Sequence, residues 1–382
     1  MGCGSSSRTQ GAIAPRPSSV QVRLTREQSS EVLRTPRRAG QNSPRIAPNP
    51  LLGLEAALGF EDESEEFNWD EAAGGSCCVG SCFAVAHIGP GTPPIKNENQ
   101  DVAVCVDDFT GRAGMKLLGI FDGHGKQGKK AAEYNLSHFQ PAPKSPYEFT
   151  LWCRYCASRM KEKLAGLINL GQTPKDSLEQ AFTSIHSEFS SGTAQMDAQF
   201  SGTTATVALI VGNSIWVAWA GDSSCVIVSS HDATRVGDDH RPDLERESRR
   251  ILAAGGRIKP SNHGGPVRVW HSVQEVPGIM VSRSIGDVFA HGFGVSALPD
   301  LYRKQVEPSD RFIILASDGL WDVYSPKDIR DHIQLDETGD SAIIANSLLD
   351  GALQRWLLPS APGGGELGDN ISLVVGKLVA PR

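Results

Sequence analysis

Residues 115–130 read MKLLGIFDGHGKQGKK, an apolar run that breaks at Asp122-Gly123 into glycines and lysines. From Gly123 the letters spell G-x-G-x-x-G, the glycine pattern of a dinucleotide loop. They also nearly spell a P-loop, with Lys130 where a Ser or Thr is required. Context excludes both. A dinucleotide loop sits in a β-α-β unit whose second strand ends in an acid about 20 residues on. Here AAEYNLSHF (131–139), EFTLWCRYCASRMKEKLAGLINL (148–170) and DSLEQAFTSIHSEFSS (176–191) follow, all with the 3.6-residue apolar spacing of helices. A P-loop needs a hydroxyl on its magnesium, which Lys130 cannot supply. The stretch therefore turns on Asp122.

The same texture recurs along the chain. CFAVAHIG (82–89), DVAVCVDDF (101–109), RFIILASDGLWDV (311–323) and DNISLVVGKL (369–378) are short apolar runs bounded by Gly, Asp or Asn, and they predict strands. Residues 201–230 predict a strand meander with a tight turn at Gly212-Asn213-Ser214. Residues 241–258 predict a helix stopped by Gly255-Gly256, and 340–358 another helix. Strands come in adjacent blocks with helices grouped between them. That order predicts an α+β fold with antiparallel sheets.

Asp122-Gly123 has partners in this pattern. Asp318-Gly319 ends one apolar run, Asp369-Asn370 opens another, and Gln100-Asp101 opens a third. Any one Asp-Gly is ordinarily a turn. Four acids at strand ends, drawn from distant parts of the chain, are instead the means of gathering oxygen ligands around a hard cation such as Mg2+ or Mn2+.

With these residues in place the chain resembles the type 2C, metal-dependent protein serine/threonine phosphatases. The motifs NENQD, FDGHG, FSGTTAT, WAGDSS, VPGIMVSRSIGD, ASDGLWDV and GDNISLVV appear in that family's order and span residues 81 to about 380. The resemblance implies two central antiparallel sheets sandwiched between helices, an α-β-β-α arrangement with a two-metal site at one edge. It makes Asp122 the carboxylate bridging both cations, with the Gly123 carbonyl, Asp318 and Asp369 beside it and Asp101 in or next to the site. Asp322 and Asp197 match positions linked to a third metal. His124 matches the general acid, Lys96 a cation that holds the substrate phosphate, and Asn370 a residue that orients the metal shell. Gln100 stands where many members carry Glu, which makes it a weaker ligand. Asp222 and Asp287 read as turn supports. Residues 259–277 resemble a flap beside the site, with His263, Arg268, Trp270 and His271 as candidates for substrate choice. The implied reaction is direct hydrolysis of phosphoserine or phosphothreonine on proteins by a metal-activated water. A silent homologue that only binds phosphoproteins is the alternative; it would be free to lose Asp122, Asp318, Asp369 and His124, all of which are present.

The rest of the chain bounds this reading. Its 382 residues carry a net charge of −7, which argues against a general nucleic-acid partner. Residues 1–50 hold eight Arg and two Glu, so a basic head of +6 precedes an acidic body. Such a head suits an anionic membrane face. The opening MGCGSSS fits an N-myristoylation signal at Gly2, and Cys3 is a ready palmitate acceptor. Residues 1–80 are expected to be a disordered tail with a docking patch at 51–60 and an acidic run at 61–71, and residues 81–382 the catalytic domain. The protein is expected as a monomer on the cytoplasmic side of a membrane, foremost the plasma membrane, with a cytosolic pool. The eight cysteines follow no secretory signal and predict a reducing compartment. No apolar run is long enough to span a bilayer.

Overall fold

The apolar runs at the centre of the fold form strands buried on both faces, so they read as nearly continuous Val, Ile and Leu and do not alternate with polar residues. The computed structural model describes residues 67–73, 77–90, 99–125, 148–194, 198–262, 264–358 and 368–379. Two five-stranded antiparallel sheets form the centre. One runs, in spatial order, β1 (Val79–His87), β16 (Ile371–Leu378), β15 (Asp310–Ala316), β8 (Ser224–Ser229) and β9 (Ala233–Val236). The other runs β14 (Asp300–Gln305), β7 (Ser214–Ala220), β6 (Ala205–Val211), β3 (Met115–Phe121) and β2 (Val102–Val106).

Successive side chains on each strand serve different cores. Leu118 and Ile120 of β3 meet Ile313 and Leu315 of β15 and Val374 of β16 between the sheets. Leu117 and Phe121 face the other way, onto Met160, Leu164, Phe182 and Ile185 of helices Glu148–Asn169 and Pro174–Ser190. Phe312 and Ile314 of β15 turn to Ile329, Ile344, Leu348 and Trp356 of helices Pro326–Gln334 and Ser341–Trp356. The result is the expected helix-sheet-sheet-helix sandwich. Among the described residues no helix is long and apolar enough to cross a membrane.

Two small sheets complete the structure: β13 (Ile285–Gly286), β5 (Ser201–Thr203) and β4 (Gly123–Gly125), and β10 (Arg257–Ser261), β11 (Gly264–Trp270) and β12 (Pro277–Ile279).

Several details differ from the sequence reading. The run 201–230 is not one meander. β6 and β7 pair as a hairpin, but β8 crosses to the opposite sheet and pairs with β15. Ser317-Asp318 opens a single helical turn, Asp318–Trp321, in place of a simple turn. Helix Pro326–Gln334 was not predicted, although Ser325 and Asp328 form a capping box before it. Trp69, in the segment assigned to the tail, is buried, and its indole donates to the Gln172 carbonyl at 2.9 Å. The folded unit therefore takes in residues 67–73. Cys82 of β1 and Cys105 of β2 sit side by side, their Cα atoms 6.5 Å apart. The proposed docking patch at 51–60 and the helix at 131–139 lie outside the described residues.

A buried ion cluster holds the segment that leads into β13. Glu247, fully buried on helix Glu245–Ala253, accepts from Arg283 Nη2 at 2.7 Å, Arg250 Nη2 at 2.6 Å and Ser282 Oγ at 2.8 Å. Arg283 Nη1 also donates to Asp300 at 2.8 Å. Burial alone would raise Glu247, but the two guanidinium groups outweigh it and hold the carboxyl at about 2. The folded value lies below the unfolded one, so this stabilisation is complete above about pH 4.5 and is lost as pH falls towards 2. Glu247→Ala, which takes a shared carboxylate from buried Arg283 and half-buried Arg250, is expected to cost about 3 kcal/mol in urea unfolding at pH 7. The gap between mutant and wild type should narrow when the titration is repeated near pH 3.

Candidate active site

The site forms where strands from both sheets end on one side of the sandwich. Asp122 follows β3, Asp318 follows β15, and Asp369 precedes β16, so each acid is delivered by a central, well-packed strand. Together with Gln100, Gly123, His124 and Asp222 they line a cavity of about 160 Å3.

The glycines after the acids act by allowing close approach. A Cβ on Gly123 would lie 2.8 Å from the Gln100 carbonyl oxygen and 2.7 Å from Cys153 Sγ. A Cβ on Gly319 would lie 2.0 Å from the Asn370 carbonyl oxygen. Neither residue takes a positive φ. Their small size lets the loops at 99–101, 122–123, 318–319 and 368–370 close on one another. Asn370 ties two of these loops, because its side-chain oxygen accepts from the Gln100 amide at 2.9 Å. The Asp122 carbonyl is held by Thr204 N at 2.9 Å and Thr203 Oγ1 at 3.0 Å.

Asp101 is buried behind this surface. Ser317 Oγ donates to its Oδ2 at 2.8 Å, while its buried Oδ1 has no hydrogen-bond partner among the described residues. Burial lifts Asp101 to about 6, against the Ser317 hydroxyl and with help from Asp318. Asp222 is pushed up to about 8, first by burial and then by Asp318 and Asp239. Crowded carboxylates and an unsatisfied buried carboxylate oxygen fit hard divalent cations.

His124 has a partner that sequence reading missed. In the small sheet His124 lies opposite Gly202, and Gly202 lies opposite Gly286 on its other side. Gly202 has no side chain to separate them. A Cβ there would sit 2.2 Å from Asp287 Oδ2, and through this gap Asp287 reaches His124 Nε2 at 2.7 Å. Asp287 holds a left-handed backbone, φ 45°, which is uncommon outside glycine. Its amide donates to the Ser201 carbonyl at 2.8 Å, and Ser284 Oγ donates to its carboxylate at 2.6 Å. Burial would lower His124, but the charge and hydrogen bond of Asp287 outweigh it and raise the imidazole above its ordinary value. Asp287 stays below its usual range for the reciprocal reason.

The structure thus gathers Gln100, Asp122, Gly123, His124, Asp318 and Asp369, with Asp101 and Asn370 against them. Asp322 is exposed at the end of the turn Asp318–Trp321 and does not line the cavity. Lys96, Asp197, Gly2 and Cys3 lie outside the described residues. Asp222 and Asp287, read as turn supports, both line the cavity. Of the flap candidates, Arg268 lines it as well. Trp270 Nε1 instead donates to the Lys259 carbonyl at 2.9 Å, and His271 packs on Phe289 and Phe293. His263 is not among the described residues.

Comparison with known proteins agrees with this geometry. The family model for protein phosphatase 2C matches residues 96–356. A probable protein phosphatase 2C 73 of Arabidopsis thaliana is 29% identical over 280 residues, covering 68% of this chain and 71% of that one. A probable protein phosphatase 2C 73 of Oryza sativa subsp. japonica is 27% identical over 328 residues, covering 80% and 76%. A solved serine-threonine phosphatase 2C from Toxoplasma gondii superposes with a TM-score of 0.62 at 17% identity, over 80% of this chain and 98% of that one. The chain belongs to the protein phosphatase 2C family of serine/threonine phosphatases.

Proposed function

We propose that this chain hydrolyses phosphoserine and phosphothreonine on proteins, with Mg2+ or Mn2+, at a membrane surface. The observation that carries the reading is the convergence of Asp122, Asp318 and Asp369 in one cavity with an Asp287-braced His124. Asp122, the Gly123 carbonyl, Asp318 and Asp369 would hold two cations, with Asp101 beside them and Asp222 as an added oxygen ligand near Asp318. When bound, the cations supply Lewis acidity and a water activated near neutral pH.

The chain's own residues do the remainder. His124 gives Nε2 to Asp287, which leaves Nδ1 to carry the proton for the leaving serine or threonine alkoxide. Asp287 keeps that imidazole protonated to higher pH and fixes the ring plane. Asn370 and Thr204 hold the loops that aim Gln100 and Asp122. Lys96 would balance charge on the phosphoryl oxygens. The myristate signal at Gly2, with palmitate at Cys3 or the basic head as the second signal, would set the enzyme on the membrane.

Release of phosphate from a phosphothreonine peptide tests the activity. It should need Mn2+ or Mg2+, stop with EDTA, and fall by about 10^2-fold or more in Asp318→Asn. A folded wild type silent with both metals would refute the proposal. Asp287→Asn removes the charge that raises His124, so His124 should lose its proton at lower pH. The alkaline limb of the pH–kcat profile should move towards acid, with a loss of about 10-fold at pH 8 and less at pH 6. A uniform loss at all pH values would mean that Asp287 only supports the fold. Gly2→Ala should move the protein from the membrane to the soluble fraction on cell fractionation; full membrane recovery would exclude myristate as the main anchor.

A further inference from the structure

The cavity has a second wall of opposite character. Besides the acids, the cavity is lined by Phe200, Val276, Pro277, Ile279 and Met280. Alternation along the strand end decides which of these a ligand meets most. Ile279 and Val281 are 8% and 5% exposed and pack with Ile251, Val269 and Phe293, whereas Met280 between them is 41% exposed. The wall is braced from behind. Arg268 Nη1 donates to the Gly278 carbonyl at 2.6 Å, and the His271 amide to the Val276 carbonyl at 2.8 Å. Gly278 takes φ 73°, and a Cβ there would lie 2.6 Å from the Trp270 ring. Phe200 packs on Phe289 with ring centroids 5.0 Å apart. This is a pre-formed apolar surface, so binding to it costs little ordering.

We propose that this wall is the subsite for an apolar side chain next to the phosphorylated residue, so that preferred substrates carry a Leu-, Met- or Phe-like neighbour at that position. The inference rests on the phosphatase reading, which sets the phosphoryl group against Asp122, Asp318 and Asp369. An extended peptide advances only about 3.3–3.6 Å per residue, so the adjacent side chain cannot leave a cavity this small without meeting its other wall. A charged neighbour would be desolvated there against Met280 and Phe200. Besides His124, which is paired with Asp287, the cation among the described lining residues is Arg268, and its guanidinium is half-buried and donates to Gly278.

The test uses the full chain with Mn2+ and two sets of phosphothreonine peptides. One set varies only the residue before the phosphothreonine and the other only the residue after it, among Leu, Gly, Asp and Lys. One of the two sets should favour Leu over Asp by about 10- to 100-fold in kcat/KM, mainly through KM. Met280→Lys, which supplies a counter-charge to Asp, should bring that ratio near or below one. Met280→Ala and Phe200→Ala, checked for wild-type melting curves, should each reduce it several-fold. Equal rates within about twofold across both sets would overturn the inference and leave the phosphatase reading standing. So would a preference for Asp that disappears in Arg268→Ala. Absence of metal-dependent phosphate release from every peptide would overturn the phosphatase reading and this inference with it.

Discussion

Everything at the site depends on the face-to-face packing of the two central sheets. Leu118 and Ile120 from one sheet and Ile313, Leu315 and Val374 from the other form a dry layer that fixes the strands in register. Asp122, Asp318 and Asp369 are carried at the ends of these same strands, one from one sheet and two from the other. Because cores are close-packed and resist small displacements, the carboxylates are held where a loop-borne set would drift. The sandwich sets the spacing of the acids, and the glycines at 123 and 319 let their loops close the last few ångströms.

That closeness has an electrostatic cost. Burial and the neighbouring Asp318 disfavour the ionised forms of Asp101 and Asp222 and lift both above ordinary acids. Carboxylates crowded in this way suit divalent cations. The ion cluster at Glu247 is the opposite case. Its charges are matched within the protein, and it serves to fix the 282–287 segment that carries Asp287 to His124.

Asp222, Asp287 and Met280 show where local reading stops. Asp222 sits in Ala-Gly-Asp-Ser, which looks like a turn inside a meander. It reaches the cavity because β8 leaves its neighbours for the other sheet, and no local signal encodes that choice. Asp287 looks like another Gly-Asp turn, and its contact with His124 needs the absence of a side chain at Gly202, 85 positions away. Met280 differs from Ile279 and Val281 only in the face it presents, which is set by the core around Val269 and Phe293. Helix Pro326–Gln334, by contrast, was within reach of local reading, since the Ser325-x-x-Asp328 cap and Pro326 announce it.

The sequence by itself determined most strands of the two central sheets, most of the longer helices, and the placement of Asp122, Asp318 and Asp369 at the ends of apolar runs. Hydrophobic periodicity, capping and turn chemistry act over a few residues, so they are written locally. Only the tertiary structure decided which strand ends meet, which acid pairs with His124, and which side chains wall the cavity opposite the carboxylates. Those outcomes depend on burying both faces of two sheets at once, a condition on the whole chain that no short stretch contains.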